Sequence, residues 1–267
     1  MRLLLKLKAL KDFAYDEKYH HKIQGFIYRL TQGTPYEFLH SKKKYKFFCF
    51  SNIFPLKIGK NKKVCPFRRG DIKYLLISSP DAGFIKTLHK KLEEKIANND
   101  EIKFGEMLFG LEGMKMLNTP IIKKKGVVIR TETPIVLRIP RRIYKKFKVN
   151  PPKPYTYIFW RKEYPIELFF EGLTKNLLGK YREFHKIDKE KFASFEKEVL
   201  PLFQRVKFIK TVSNKVIING KEQLVIGLLF DFYFDFLNEK QRKILKFAVD
   251  AGFGERNSYG FGFVNVK

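Results

Sequence analysis

The chain has 267 residues and is 44% hydrophobic and 16% aromatic, which excludes global disorder and suits one large or two small domains. Only two cysteines, Cys49 and Cys65, are present, so a disulfide framework or a Cys-rich zinc site is excluded. Lysine and arginine number 55 against 27 acidic residues, a net charge of +28, and such an excess calls for a polyanionic partner, nucleic acid ahead of a membrane surface.

The opening MRLLLKLKAL alternates Leu3, Leu5 and Leu7 with Leu4, Lys6 and Lys8. That period of two predicts a strand, and the interrupting lysines argue against a signal peptide. No uncharged apolar run is long enough to span a bilayer, so the chain reads as soluble and cytoplasmic, with no membrane partner. Asp16 can cap a helix running to about Gln32, whose apolar stripe is Tyr19, Ile23, Phe26, Ile27 and Leu30. In TPYE, Thr34 can be an N-cap, Pro35 the first helical residue and Glu37 the reciprocal capping partner of a short helix ending near His40. Residues 45–50 and 72–78 read as strands. Ser79-Pro80 opens a helix with Phe84, Ile85, Leu88, Leu92 and Ile96 on one face. Strand material follows through about 101–117.

Strand, helix, strand, strand, helix, strand is the ferredoxin-like βαββαβ order, shared with RNA-recognition domains. The second half follows it again. Residues 126–139 supply strand material, and helices are expected from Tyr164 to Phe184 and from Asp188 to Glu198. A hairpin turns at Asn219-Gly220. Asn238 caps a helix with the stripe Ile244, Leu245, Ala248 and Val249, which stops at Gly252. YGFGFVNV closes as a strand. The expected fold class is α+β: two tandem ferredoxin-like domains with antiparallel sheets, 1–120 and 121–267.

Two kinds of feature carry chemistry. The first is affinity for phosphate. Gly252, Gly254, Gly260 and Gly262 flank Glu255, Arg256, Asn257, Ser258 and Tyr259. Glycine lets a backbone approach a ligand closely, so the loop amides are expected to meet phosphate oxygens, and the side chains of Arg256, Asn257, Ser258 and Tyr259 to contact phosphate, ribose or bases. Basic runs lie at 41–46, 60–63, 67–70, 121–126 and 139–148. The last interleaves Arg141, Arg142, Lys145, Lys146 and Lys148 with Tyr144 and Phe147, as if aromatics stacked on bases while cations held phosphates. Five such runs with no comparable acidic block suggest a track for a polynucleotide.

The second feature is a set of titratable residues. The five histidines and two cysteines show no metal-ligand spacing, and no P-loop or GxSxG is present. No metal or cofactor is expected. A nuclease without one must activate the ribose 2′-hydroxyl by general acid–base chemistry, which restricts it to RNA. His21 and Tyr28 lie opposite the apolar stripe of the first helix, with Gln24 beside them, and His40 precedes the lysine run. His21, Gln24, Lys42, Lys43 and Lys44 are therefore expected RNA contacts.

The segments QGFIY (24–28), YEFLH (36–40), KFFCFS (46–51) and GFGERNSYGFGFV (252–264) resemble the Cas-six type of CRISPR-associated pre-crRNA processing endoribonuclease, in the repeat-associated mysterious protein superfamily. The resemblance implies tandem ferredoxin-like domains with RNA near the cleft between them. It implies cleavage of a CRISPR repeat transcript without a metal, leaving 2′,3′-cyclic phosphate and 5′-hydroxyl ends, with the guide RNA kept bound. It places the active site on Tyr28 as base, His40 as acid and Lys46 as the cation at the phosphorane. The roles of Tyr28 and His40 can be exchanged, and Lys42, Lys43 and Lys44 compete for that of Lys46. The alternatives are a non-catalytic RNA-binding subunit of an interference complex and a general RNA-binding protein. Partnership with interference-complex subunits and homodimerisation stay open.

Overall fold

The computed structural model describes residues 1–15, 19–41, 44–56, 66–218 and 220–267. The chain forms two units. The first comprises Met1–Thr119 together with Asn214–Val225 and Ser258–Gly260; the second comprises Pro120–Ser213, Ile226–Asn257 and Phe261–Lys267.

In chain order the first unit contains β1 (Arg2–Ala9), β2 (Phe13–Ala14), α1 (His20–Thr31), β3 (Cys49–Phe50), β4 (Pro66–Phe67), β5 (Ile72–Ser78), α2 (Ala82–Ala97), β6 (Ile102–Phe104) and β7 (Met107–Leu117). β1 lies centrally because its alternation serves two neighbours at once. It pairs antiparallel with β5 (Leu5↔Leu75) and with β7 (Leu5↔Met114). The sheet order β3-β5-β1-β7-β6 is ferredoxin-like with one added edge strand. Leu3, Leu5 and Leu7 share one buried core with Ile23, Phe26, Ile27 and Leu30 of α1 and Phe84, Ile85, Leu88 and Leu92 of α2. The predicted fifth member of the α2 stripe, Ile96, lies in the last turn and is 38% exposed. Asp81 caps α2, its carboxylate accepting from Gly83 N at 2.8 Å and Phe84 N at 3.2 Å.

Local details differ from expectation around the predicted short helix at 34–40. It is a single 3₁₀ turn, Glu37–Leu39, closed by bonds from Glu37 N to Thr34 O and from His40 N to Glu37 O. Glu37 caps Gly33 N at 3.0 Å instead of the predicted partner Thr34. With only one turn to support, no reciprocal box forms. The strand expected at 45–50 narrows to β3. Asp16 and Asn219 lie outside the described residues.

The second unit contains β8 (Lys125–Thr131), β9 (Ile139–Pro140), α3 (Arg141–Lys146), β10 (Tyr157–Ile158), α4 (Ile166–Phe184), α5 (Lys189–Val199), β11 (Arg205–Ile218), β12 (Lys221–Phe236), α6 (Glu239–Ala251) and β13 (Val264–Val266). The sheet order β11-β12-β8-β13 repeats the ferredoxin-like arrangement. β8 pairs antiparallel with β12 (Ile129↔Phe232) and with β13 (Thr131↔Val264). Phe230, Phe232 and Phe234 alternate into the core, which also buries Leu173 and Leu177 of α4 and Ile244, Leu245 and Ala248 of α6. Asn238 and Gln241 form a capping box at the start of α6. Among the described residues no helix is long and apolar enough to cross a membrane.

Candidate active site

Tyr28 sits in the third turn of α1, half-buried, with its ring edge-on to Phe48 at 6.1 Å. His40 follows the 3₁₀ turn, exposed, and its ring meets that of Tyr28 edge-to-face at 5.2 Å and 83°. Lys46 donates to the Tyr28 phenol oxygen at 2.5 Å and to His40 O at 3.2 Å. Three residues separated by up to 18 positions thus form one cluster, entirely within the first unit. A pocket of about 530 Å³ opens beside it, lined by Gly25, Tyr28, Arg29, Gln32, Phe38 and His40, among others. Lys44 is exposed; Lys42 and Lys43 lie outside the described residues.

Burial pushes the Tyr28 phenol well above its usual range. The Ser258 hydroxyl acts in the opposite direction, and Tyr259 adds to the rise. Burial also lowers Lys46. At neutral pH the phenol therefore keeps its proton, while its oxygen accepts from Lys46. A phenol oxygen that accepts from an ammonium still has its own O–H to donate.

The other end of α1 is occupied by the tip of the glycine-rich loop, residues 258–260, which belong to the first unit. Gln24, an expected RNA contact, is buried and donates to Ser258 Oγ at 3.1 Å. His20 lies 2.7 Å from Tyr259 O through Nδ1. Burial pushes His20 down to about 4, with the Tyr259 bond opposing and His21 reinforcing the drop. A carbonyl can only accept, so Nδ1 of the neutral ring carries the proton. The sequence reading missed His20, because its partner lies 239 residues away. It also passed over Arg29 and the 54%-exposed Phe38, which reveal themselves only as pocket walls.

The glycines themselves face inward, contrary to expectation. Gly252, Gly254, Gly260 and Gly262 are buried. A methyl group at Gly254 would come within 2.5 Å of Val136 O, and one at Gly262 would collide with Phe253 O. The Gly252 amide donates to Ala248 O and the Gly262 amide to Pro134 O, so neither is available to phosphate. All four have positive φ, between 71° and 84°. Lys180 of α4, 2% exposed, donates to Gly252 O at 2.8 Å, Gly254 O at 2.5 Å and Asn257 Oδ1 at 2.6 Å. Asn257, counted among the RNA contacts, spends its amide on Phe253 O and Phe261 O. The loop is a packed structural element whose residues 255–259 remain half-buried, Arg256 among them.

The basic run at 139–148 forms β9 and α3. Arg141, Arg142 and Lys145 are exposed, and Lys146 pairs with Glu171 at 2.6 Å. Tyr144 is 2% exposed and its hydroxyl donates to Tyr155 O at 2.5 Å. It cannot stack on a base, because a one-and-a-half-turn helix turns its inner side, Ile143 and Tyr144, into the core.

The family model described as "CRISPR associated protein Cas6, C-terminal" matches residues 117–266. The CRISPR-associated endoribonuclease Cas6 2 of Methanocaldococcus jannaschii is 32% identical over 99% of both chains. The CRISPR-associated endoribonuclease Cas6 of Haloferax mediterranei is 29% identical over 100% of this chain and 93% of its own length. In fold, a solved structure described as "An RAMP protein binding different RNA substrates" is similar at TM-score 0.70 and 24% identity, covering 100% of this chain and 99% of that one. With its full length aligned to such relatives and its C-terminal half matched by the family model, the chain belongs to the Cas6 family of CRISPR-associated proteins.

Proposed function

We propose that this chain cuts CRISPR repeat RNA in the cytoplasm by metal-independent attack of a ribose 2′-hydroxyl, and that it keeps the guide RNA on its basic surface. The observation that carries this reading is the meeting of Tyr28, His40 and Lys46 beside one open pocket. The relatives' names as endoribonucleases support it.

The expected roles of Tyr28 and His40 are exchanged. A phenol raised by burial and already accepting from the Lys46 ammonium is a donor at neutral pH, which leaves the exposed imidazole of His40 as the general base. His40 removes the 2′-hydroxyl proton. The 2′-oxygen bonds to phosphorus as the bond to the 5′-oxygen breaks. Tyr28 protonates the departing oxygen, and the resulting phenolate is held by the Lys46 ammonium. The products are a 2′,3′-cyclic phosphate and a 5′-hydroxyl, and a proton passing from imidazolium to phenolate, directly or through water, resets the site. Arg29, which has no ion-pair partner among the described residues, lines the pocket as the cation placed to meet the phosphate.

Incubation with repeat RNA in EDTA tests the reading. Site-specific cleavage with a cyclic-phosphate end is expected, and a single 2′-deoxy substitution at the scissile nucleotide should abolish it. Cleavage of the deoxy substrate, or dependence on a divalent ion, overturns the mechanism.

A further inference from the structure

We propose that Phe38 is a substrate-positioning residue whose ring is the stacking surface for a nucleobase beside the scissile phosphate. This rests on the functional reading above and names what holds the RNA strand at that site. A single exposed phenylalanine is ordinary on a protein surface. Phe38 differs in its place. It is 54% exposed and lines the same pocket as Tyr28, Arg29 and His40. Among the described residues its ring has no aromatic or cation–π partner.

The turn that carries Phe38 is fixed from its inner side. Leu39 is buried, and the Tyr36 ring meets Phe84 edge-on at 5.4 Å while its hydroxyl donates to Asp81 Oδ1 at 3.1 Å. Bonds from Leu39 N to Tyr36 O and from His40 N to Glu37 O close the turn, and the Ser41 hydroxyl donates to Phe38 O at 3.1 Å. Phe38 shares this turn with His40, so a base held against its ring keeps the attached ribose close to the catalytic imidazole. The other walls suit a nucleotide. Arg29 lies back along α1 over Gly25, where an added methyl group would stand 3.7 Å from a guanidinium nitrogen. Gln32, Glu37 and Ser41 bring polar groups to the same pocket. Glu37 uses Oε2 on Gly33 N, which leaves Oε1 to accept from a base amino group. An aromatic face beside a cation is the combination that takes an unstacked base together with its phosphate. In-line attack also needs such a base. A regular helical strand does not set the 2′-oxygen opposite the departing 5′-oxygen, and drawing one base out of the stack turns its sugar.

The test couples the ring to the base. Phe38→Ala, Phe38→Leu and Phe38→Trp are compared with wild type in the full chain, on repeat RNA that is intact or abasic at either nucleotide flanking the cut. Single-turnover cleavage is measured below saturation. Phe38→Ala should slow it by about 10–100-fold. Phe38→Leu, apolar but not flat, should lose nearly as much, and Phe38→Trp should stay within about threefold of wild type. In wild type, removing one of the two bases should cost a similar factor. In Phe38→Ala the same removal should cost less than about twofold, because that base has already lost its support. A purely structural role for Phe38 would leave the two losses independent. Independent losses overturn the proposal, as does wild-type cleavage by Phe38→Ala. If wild type leaves the RNA intact, the functional reading falls and affinity alone decides Phe38. One abasic position whose cost disappears in Phe38→Ala then upholds the stack, and none along the repeat overturns it.

Discussion

The segment from Gly25 to Lys46 and the glycine-rich loop from Gly252 to Gly262 were both marked by their sequences as RNA-facing, yet they spend their polar groups in opposite ways. The first gathers a phenol, an imidazole and an ammonium beside an open pocket. The second folds its carbonyls onto the ammonium of Lys180 and two of its glycine amides onto neighbouring backbone. A run of glycines signals close approach of the backbone to something; here that something is the protein itself. Chemically active side chains behave differently, since little but solvent, substrate or one another suits them.

The contrast is sharpest at His40 and Gly262. His40→Ala should lower the cleavage rate by about 10²–10⁴-fold, the usual worth of a general acid or base, with RNA affinity and urea stability near wild type. Stability loss in place of rate loss would erase the difference between the two regions. Gly262→Ala should do the reverse. Its methyl group meets Phe253 O at a φ of 72°, and overpacking with a left-handed alanine should cost about 3 kcal/mol in urea unfolding.

His20 joins the two regions and makes the comparison pH-dependent. An unfolded histidine takes up its proton near 6.5, the folded one near 4. Between those values the unfolded chain binds the extra proton, so acid favours it. The contribution of His20 is complete above pH 6.5 and falls as the pH drops toward 4, by on the order of 3 kcal/mol at about 1.4 kcal/mol per pH unit. Urea midpoints of wild type and His20→Gln across that window should converge in acid; parallel curves refute the assignment. The smallest effect belongs to Tyr144. Removing its buried hydroxyl in Tyr144→Phe should cost about 1 kcal/mol and leave RNA affinity unchanged, whereas a base-stacking tyrosine would also tolerate Phe but fail as Leu. Tyr144→Leu should therefore lose stability and not intrinsic affinity.

Much of this was legible in the chain. The period of two in β1 and the stripes of α1, α2 and α6 specify a sheet and its covering helices, because burial imposes those periods directly. Tyr28 and His40 stood out as reactive types near a lysine run, and the family resemblance brought in Lys46. What stayed hidden depended on partners distant in sequence. Lys180 looks like any helical lysine until Gly252 and Gly254, more than 70 residues on, close over it. Tyr144 looked exposed inside a basic run because a helix as short as α3 shows too little periodicity to reveal its inner side. Gln24 was placed on the polar side of α1, and it is polar, but its amide is consumed by Ser258.

Lys180 has one more consequence. The dependence of RNA binding on salt counts only those cations that shed a mobile counterion when phosphate arrives. An ammonium sealed beneath two carbonyls and an amide oxygen has no such ion to release. Lys73, 3% exposed and bonded to Pro55 O at 3.2 Å, is a second. The formal charge of +28 therefore overstates the polyelectrolyte character of the surface, and part of the lysine excess acts as internal mortar for the backbone.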